Sequence, residues 1–458
     1  MRWLLVAHHL PPRHRAGVEV HTLALAHALR DSGEEVQLFA TDDDPLLPPF
    51  SLRTEELEGI PVHWLAHPRI ASDLRATLGG PREASAFEEV LRRTRPEIVH
   101  FHHLMYVGLD APRLARAAGA VTLLTLHEYW MLCGRNGQLI RADESLCSRA
   151  ELNACSTCLA SHRFGRGRLE WRIAQASAQL SAWSGWDSFT LLKSLQSWRK
   201  QPLLQGAQGK LDTALVQERR TRMGEALGAM QRILCPSEFL KSQFLLEFRE
   251  FEHRFLHWPN GVPENPCNGA GLRGKRRAGG AALRVGFMGT LTPLKGADVL
   301  LRAVGTLPPH AVRLVLFGSL SHDPAYVAGL KGLATEETTF AGPYAGSASA
   351  ALAGLDVLVV PSRWYENAPL VISEAFAAGV PVVCSDIGGM RELVRHDVDG
   401  LHFKMGDPCS LAEQLTRLLE ESELLARLRC GISAPRTITA EARETKALAE
   451  SILLESRT

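Results

Sequence analysis

Two separate runs of alternating strand and helix signals, split by a Pro/Gly-rich break, constrain this chain more than any other feature. In the first run an apolar stretch at residues 3–8 is followed by a Pro/Arg/Gly loop, by apolar positions at helical spacing over 18–31, and by Val36-Gln37-Leu38-Phe39-Ala40. Short apolar runs alternating with amphipathic helices are the pattern of βαβ units, whose parallel strands are covered on both faces and so need not alternate in polarity. Residues 98–101, 121–126 and 232–235 read as further strands of the same sheet. From 261 to 282 the chain reads Gly-Val-Pro-Glu-Asn-Pro and then a basic run, which suits neither helix nor central strand, and we read it as a linker. The alternation restarts at 283, with strands expected at 283–289, 313–317, 355–360 and 380–385 and helices from 296, 325 and 369.

Length agrees with this division, because 458 residues exceed one ordinary core. The expected organisation is an N-terminal α/β domain over 1–260, the linker 261–282, a second doubly wound α/β domain over 283–432, and a helix within 433–458 that packs back. Between about 133 and 230 the alternation fails, and this stretch reads as an insertion with helices near 168–181, 189–200 and 211–230. Lys and Arg number 51 against 50 Asp and Glu, so no global field favours nucleic acid, and an anion site must be local. No run reaches the 18 or so apolar residues of a membrane span, and the short run at 3–7 meets His8-His9 at once, as a buried strand and not a signal segment would. A cytoplasmic protein is expected, with a peripheral place on the inner face of the membrane open to it.

Chemistry concentrates in residues 357–383. Val357-Leu358-Val359-Val360 reads as a central strand whose C-terminal end opens on the crevice where parallel sheets bind ligands. Glu366 lies in the loop that follows, and Glu374 comes after seven intervening residues, on a helix starting near Ala368 or Pro369. The amide N–H groups of Asn367, Leu370 and Val371, with the helix dipole, form an anion site suited to a diphosphate. The two carboxylates cannot grip phosphate, but they can accept hydrogen bonds from sugar hydroxyls on either side of it. Alone, such a pair is ordinary surface charge; the strand-loop-helix setting gives it meaning.

This segment resembles the signature of the retaining nucleotide-sugar glycosyltransferases of family 4. Further matching motifs are Ala16-Gly17-Val18-Glu19, Val99-His100-Phe101-His102-His103, Thr125-Leu126-His127-Glu128, Cys235-Pro236-Ser237-Glu238-Phe239, Pro259-Asn260-Gly261-Val262, Pro293-Leu294-Lys295-Gly296 and Asp386-Ile387-Gly388-Gly389-Met390-Arg391-Glu392-Leu393. The resemblance implies an α/β GT-B fold, two facing Rossmann-like domains with a cleft between them. It implies transfer of a hexosyl group from a nucleotide diphosphate sugar to a glycan or lipid-linked acceptor, in bacterial surface-polysaccharide assembly. It casts Lys295 as the lysine that neutralises the leaving diphosphate, Glu366 as the partner of the donor-sugar hydroxyls, Glu374 as that of the ribose, and Gly388 and Gly389 as the turn beside the donor. Gly17 is the glycine whose backbone approaches the donor phosphates, and His127 the acceptor-side histidine. Thr290 stands where the family usually has a second phosphate-clamping Arg, so another cation must compensate, with Arg363 and Arg13 as candidates. That departure keeps open a degenerate, non-catalytic nucleotide-binding or scaffolding subunit, and a sugar-nucleotide epimerase is a second alternative. With no Asp-x-Asp between Gly289 and Glu374, no catalytic divalent metal is expected.

One element falls outside the resemblance. Cys133, Cys147, Cys155 and Cys158 give C-x13-C-x7-C-x2-C, in which the final Cys-x2-Cys brings two thiolates to one ion and two nearby cysteines complete four ligands. A structural zinc is expected, with an iron–sulfur cluster or unligated thiols as alternatives.

Overall fold

The computed structural model describes residues 1–14, 16–184, 210–264, 282–344 and 348–455. The helix expected at 189–200 and most of the linker lie outside these. The chain divides into two compact units, one of residues 1–235, 241–257 and 442–458, the other of 236–240 and 258–441.

In the first unit the strands are β1 (Arg2–Val6), β2 (Glu35–Asp42), β3 (Leu52–Leu57), β4 (Ile60–Ala66), β5 (Ile98–Phe101), β6 (Val121–Thr125), β7 (Arg232–Cys235) and β8 (Phe255–His257). They form one sheet in the order β3-β4-β2-β1-β5-β6-β7-β8, parallel except for the β3–β4 hairpin. That hairpin was not legible in sequence. Its turn is Glu58-Gly59, both at positive φ (50° and 79°), the conformation that suits the twist of a two-residue β-hairpin.

The helix Thr213–Gly228 buries Val216, Met223 and Leu227 and runs directly into β7. It is therefore the crossover between β6 and β7, and the inserted stretch ends before Thr213, not near 230.

The second unit holds β9 (Leu283–Met288), β10 (Val312–Phe317), β11 (Thr338–Gly342), β12 (Val357–Val360), β13 (Val382–Ser385) and β14 (Gly400–Phe403), all parallel, in the order β11-β10-β9-β12-β13-β14. From β9 the chain winds outward to β10 and β11, then returns to β12 beside β9 and winds the other way. The loops leaving the C-terminal ends of β9 and β12 thus diverge at a topological switch point, where α/β sheets take ligands. In the first unit β1 and β5 bracket the corresponding point.

Asp356, at the entrance to β12, anchors this sheet. Its carboxylate accepts from the Arg284 backbone N–H (3.0 Å), from Arg284 Nε (3.1 Å) and from Arg429 Nη2 (3.0 Å). Asp356 and Arg429 are both buried. Burial alone would raise the Asp356 pKa, but the hydrogen bonds from Arg284 and Arg429 outweigh it and hold the carboxyl below its usual range.

The last helix, Ile438–Glu455, begins in the second unit and ends in the first. There Lys446 Nζ reaches Glu34 (2.5 Å), a buried carboxylate that also accepts from the Met1 amine (2.7 Å) and Trp3 Nε1 (3.1 Å).

Candidate functional site

In the second unit the loop after β9 makes a single tight turn, Pro293–Lys295, that ends on Gly296 at φ +71°. A Cβ at Gly296 would stand 2.0 Å from the Pro361 carbonyl oxygen, so only glycine lets this turn press against the loop after β12. That contact brings Lys295 Nζ to 2.5 Å from Glu366 Oε1. The same oxygen accepts from Ser362 Oγ (2.8 Å) and Trp364 Nε1 (2.9 Å), and the Lys295 ammonium lies 5.6 Å from the Trp364 ring centroid. Among the described residues Glu366 Oε2 accepts no hydrogen bond, so Oε1 is fixed while its partner oxygen can take a ligand hydroxyl.

The helix Leu370–Ala377 has Pro369 as its N-cap and begins later than expected. Leu370 and Val371 carry the N-terminal amides, which donate to no backbone carbonyl within the helix. Asn367 precedes the cap, so its amide does not belong to the helix end. Its Oδ1 accepts from Ser237 Oγ (2.6 Å), and Ser237 Oγ in turn accepts from the Leu240 N–H (3.1 Å), as expected of a helix cap. Glu374 sits on the second turn, half-buried, and burial pushes its carboxyl pKa up.

The loop carrying Glu366 and Asn367 rests on the turn after β13. The Gly389 N–H donates to the Glu366 carbonyl (2.9 Å), Gly388 holds φ +57°, and a Cβ at Gly389 would lie 1.4 Å from the Asn367 carbonyl oxygen. Gly389→Ala should therefore shift this loop; a misplacement of about 1 Å can cost ~10²-fold in catalysis. Nucleotide titration calorimetry and turnover, with circular dichroism confirming the fold, would show it; unaltered kinetics would mean the loop is not held by this turn.

Lys295, Thr290, Glu366, Asn367, Leu370, Val371, Glu374, Gly388 and Gly389 all lie in this unit, at or near the ends of β9, β12 and β13. Neither candidate replacement for the missing Arg is uncommitted. Arg363 is paired with Asp298 (2.5 Å), and Arg13, in the first unit, with Asp42 (2.6 Å) and Asp44 (3.0 Å).

Gly17 and His127 belong to the first unit. Gly17 is the exposed first residue of the helix Gly17–Asp31. His127 follows β6, its Nε2 3.0 Å from His102 Nδ1 and its ring centroid 5.1 Å from that of His21. Burial lowers the pKa of His102 and His127 well below the usual imidazole value, so both rings are neutral. His21, His102 and His127 each offer a ring nitrogen within 4.8 Å of the others, the closed group of metal-type ligands found among the described residues. Alongside, the His8 ring lies tilted against those of His9 (4.3 Å) and His103 (4.2 Å), and burial drives the His9 pKa down to about 2. Sequence reasoning gave a role to His127 alone. The missed signal is that His8-His9 ends β1 while His100, His102 and His103 cluster at the end of β5, so the switch point of this sheet is lined with imidazoles.

The four cysteines come from three local structures. Cys133 lies in a turn (its N–H to the Tyr129 carbonyl, 2.8 Å), Cys147 follows the bridge between Ile140 and Leu146, and Cys155 and Cys158 lie on the helix Leu152–Leu159. Each of the other three lies within electrostatic reach of Cys155, yet no three sulfurs are mutually within 4.8 Å.

Residues 16–178 match the family model of a glycosyl transferase 4-like domain, and residues 282–421 that of glycosyl transferases group 1. The D-inositol 3-phosphate glycosyltransferase of Xylanimonas cellulosilytica is 37% identical over 154 residues, which is 32% of this chain and 36% of that protein's length. The chain thus matches little more than a third of that relative. Two solved structures match nearly end to end. Anabaena HepE in complex with UDP superposes with a TM-score of 0.63 at 16% identity, over 98% of this chain and 100% of that one. Sucrose-phosphate synthase from Thermosynechococcus elongatus gives a TM-score of 0.64 at 18% identity, over 99% of both chains. A glycosyl transferase 4-like domain followed by a group 1 domain, each on its own Rossmann-like sheet, places this chain among the group 1 glycosyl transferases of GT-B fold.

Proposed function

We propose that the chain is a retaining hexosyltransferase, moving a sugar from a nucleotide diphosphate donor to a glycan or lipid-linked acceptor in bacterial surface-polysaccharide assembly. The observation that carries this reading is the Lys295–Glu366 pair at the switch point of the second unit, beside the N-terminal amides of Leu370 and Val371. A diphosphate needs cationic and N–H donors, and a sugar needs carboxylate acceptors; these loops offer both within one turn of helix. When the donor's phosphate draws the Lys295 ammonium, Glu366 is left with its Ser362 and Trp364 donors and turns acceptor for sugar hydroxyls. The leaving phosphate then takes the acceptor's proton on the face it departs from, so that configuration is retained and the protein supplies position and charge, with no dedicated nucleophile. HepE has been crystallised in complex with UDP and with UDP-glucose, which supports a nucleotide-sugar donor. Gly17 at a helix N-terminus and His127 beside two further imidazoles keep, on the first unit, the donor-phosphate and acceptor roles that the family resemblance assigns them.

The test is a panel of nucleotide sugars against monosaccharide, phosphorylated and polyprenyl-linked acceptors, reading nucleoside diphosphate release and the anomeric form of the product by NMR. Nucleotide binding with no release under any pairing would make the chain a scaffold, and donor conversion without acceptor would make it an epimerase. Glu374→Gln should weaken donor binding, since an amide is a poorer acceptor for ribose hydroxyls. In the native chain donor affinity should fall as pH drops through the raised Glu374 pKa, above the ~4.3 of an ordinary glutamate. Equal dissociation constants for native and variant across that range would remove the ribose from Glu374.

A further inference from the structure

A buried cation without a counter-ion lies beside the cysteine cluster. Arg219, on the crossover helix Thr213–Gly228, is only 4% exposed. Its Nη1 donates to the Met131 carbonyl (3.3 Å) and its Nη2 to that of Trp130, the guanidinium sits 5.5 Å from the Trp130 ring centroid, and Nε has no hydrogen-bond partner. Among the described residues it makes no ion pair. Glu128 acts on it only at longer range and is itself engaged by His103 (3.0 Å). The other charges within reach would be those of Cys133 and Cys155. Neutral thiols leave a buried guanidinium uncompensated, which proteins avoid. Thiolates would supply the missing charge, but four of them together would repel one another unless a cation sits among them.

We propose that Cys133, Cys147, Cys155 and Cys158 bind one zinc ion as a tetrathiolate whose negative charge is balanced in part by Arg219. On binding, four thiols release four protons to solvent and form four zinc–sulfur bonds. Four thiolates and one divalent ion leave a net charge of minus two next to the guanidinium. The placement of the ligands suits this. Cys155 and Cys158 are three residues apart on one helix and share a face, Cys133 is fixed by its turn, and Cys147 emerges from a short bridged loop. No three of the sulfurs are mutually within 4.8 Å, and Cys147 Sγ turns to the Arg149 carbonyl (3.1 Å). Closure therefore takes side-chain rotations at more than one of the four cysteines, with Cys147 giving up its contacts to the Arg149 carbonyl and to Arg141. Zinc suits an all-sulfur site with no position left for water, so the ion would be structural. It would fasten the inserted loop and helix to the crossover helix of the sheet, through Arg219. This reading is independent of the transfer reaction.

The full chain, purified without chelator, should carry about one zinc by elemental analysis. Cys155→Ser with Cys158→Ser should reduce that to a background trace, whereas His127→Gln should keep it, which separates this site from the three-histidine group. Cobalt loaded into the native chain should show the intense near-ultraviolet band of thiolate-to-cobalt charge transfer, which histidine ligands do not produce. Arg219→Gln should weaken zinc affinity about 10–100-fold, as loss of an outer-shell partner does. If the cysteine variant fails to fold, the cobalt band of the native chain and its disappearance on adding zinc decide the matter. A native chain with neither zinc nor a thiolate–cobalt band overturns the proposal. So does zinc retained in the cysteine variant, zinc lost in His127→Gln alone, or bound iron with visible absorption.

Discussion

Lys295→Ala should lower turnover with a nucleotide-sugar donor by about 10²–10³, or ~2.7–4 kcal/mol of transition-state stabilisation, the range for removing one preorganised electrostatic donor. The argument is local. Thr290 supplies at most a neutral hydroxyl where a relative would have a second cation, Arg363 is committed to Asp298, and the loops after β9 and β12 are locked together at Gly296 so that Lys295 Nζ meets Glu366. The effect should fall on kcat, since charge builds on the leaving diphosphate in the transition state. Lys295 is partly exposed and the glycine contact remains, so the fold should be unaffected. Lys295→Arg should recover part of the rate. Native-like steady-state transfer in Lys295→Ala would dismiss the lysine from the reaction.

Asp356→Ala should destabilise the second unit by about 3–5 kcal/mol, the range for removing one partner of a buried ion pair. Arg429 is buried and loses this carboxylate, while Arg284 is half-exposed and can turn to water. Urea unfolding should resolve this as a shift in one of two transitions, the chain having two units. Replacing Asp356 by Leu together with Arg429 by Met should restore much of the loss, since well-packed apolar residues can stand in for a buried ion pair. The pH dependence has a definite sign. The folded-state pKa of Asp356 is depressed, so its contribution is complete above the unfolded value of about 3.9 and disappears as pH falls through the lower folded value. An Asp356→Ala chain as stable as the native one at neutral pH would show that Arg429 finds other compensation.

Strands covered on both faces were legible because burial leaves its mark on every residue. Val357-Leu358-Val359-Val360 has no polar interruption to mislead. Five strands escaped, for different reasons. β4 is buried but interrupted by Pro61 and His63, and β8 is only three residues long. β3 reads Leu-Arg-Thr-Glu-Glu-Leu on an exposed edge, β11 is partly exposed at the other sheet's edge, and β14 is four residues opened by a glycine. In the candidate site, Glu366 and Glu374 stand out by their strand-loop-helix setting, and Lys295 by the family resemblance. Their geometry does not, because it depends on contacts between segments far apart in sequence, such as Gly296 against Pro361 and Gly389 against Asn367. The commitment of Arg363 to Asp298 and the gathering of histidines from β1, β5 and β6 belong to the same class. A helix register gave no warning of Arg219, since nothing in the order of residues shows that an arginine will be buried with only carbonyls and a ring for company.

The last helix makes the order of synthesis matter. A ribosome releases β1 and Glu34 early, yet the ammonium that Lys446 brings to that buried carboxylate leaves the exit tunnel only after the whole of the second unit has emerged. The nascent first unit must wait, with a carboxylate short of one partner, while the rest of the chain is made. Vectorial folding is thereby partly inverted, and the segment made first is the one completed last.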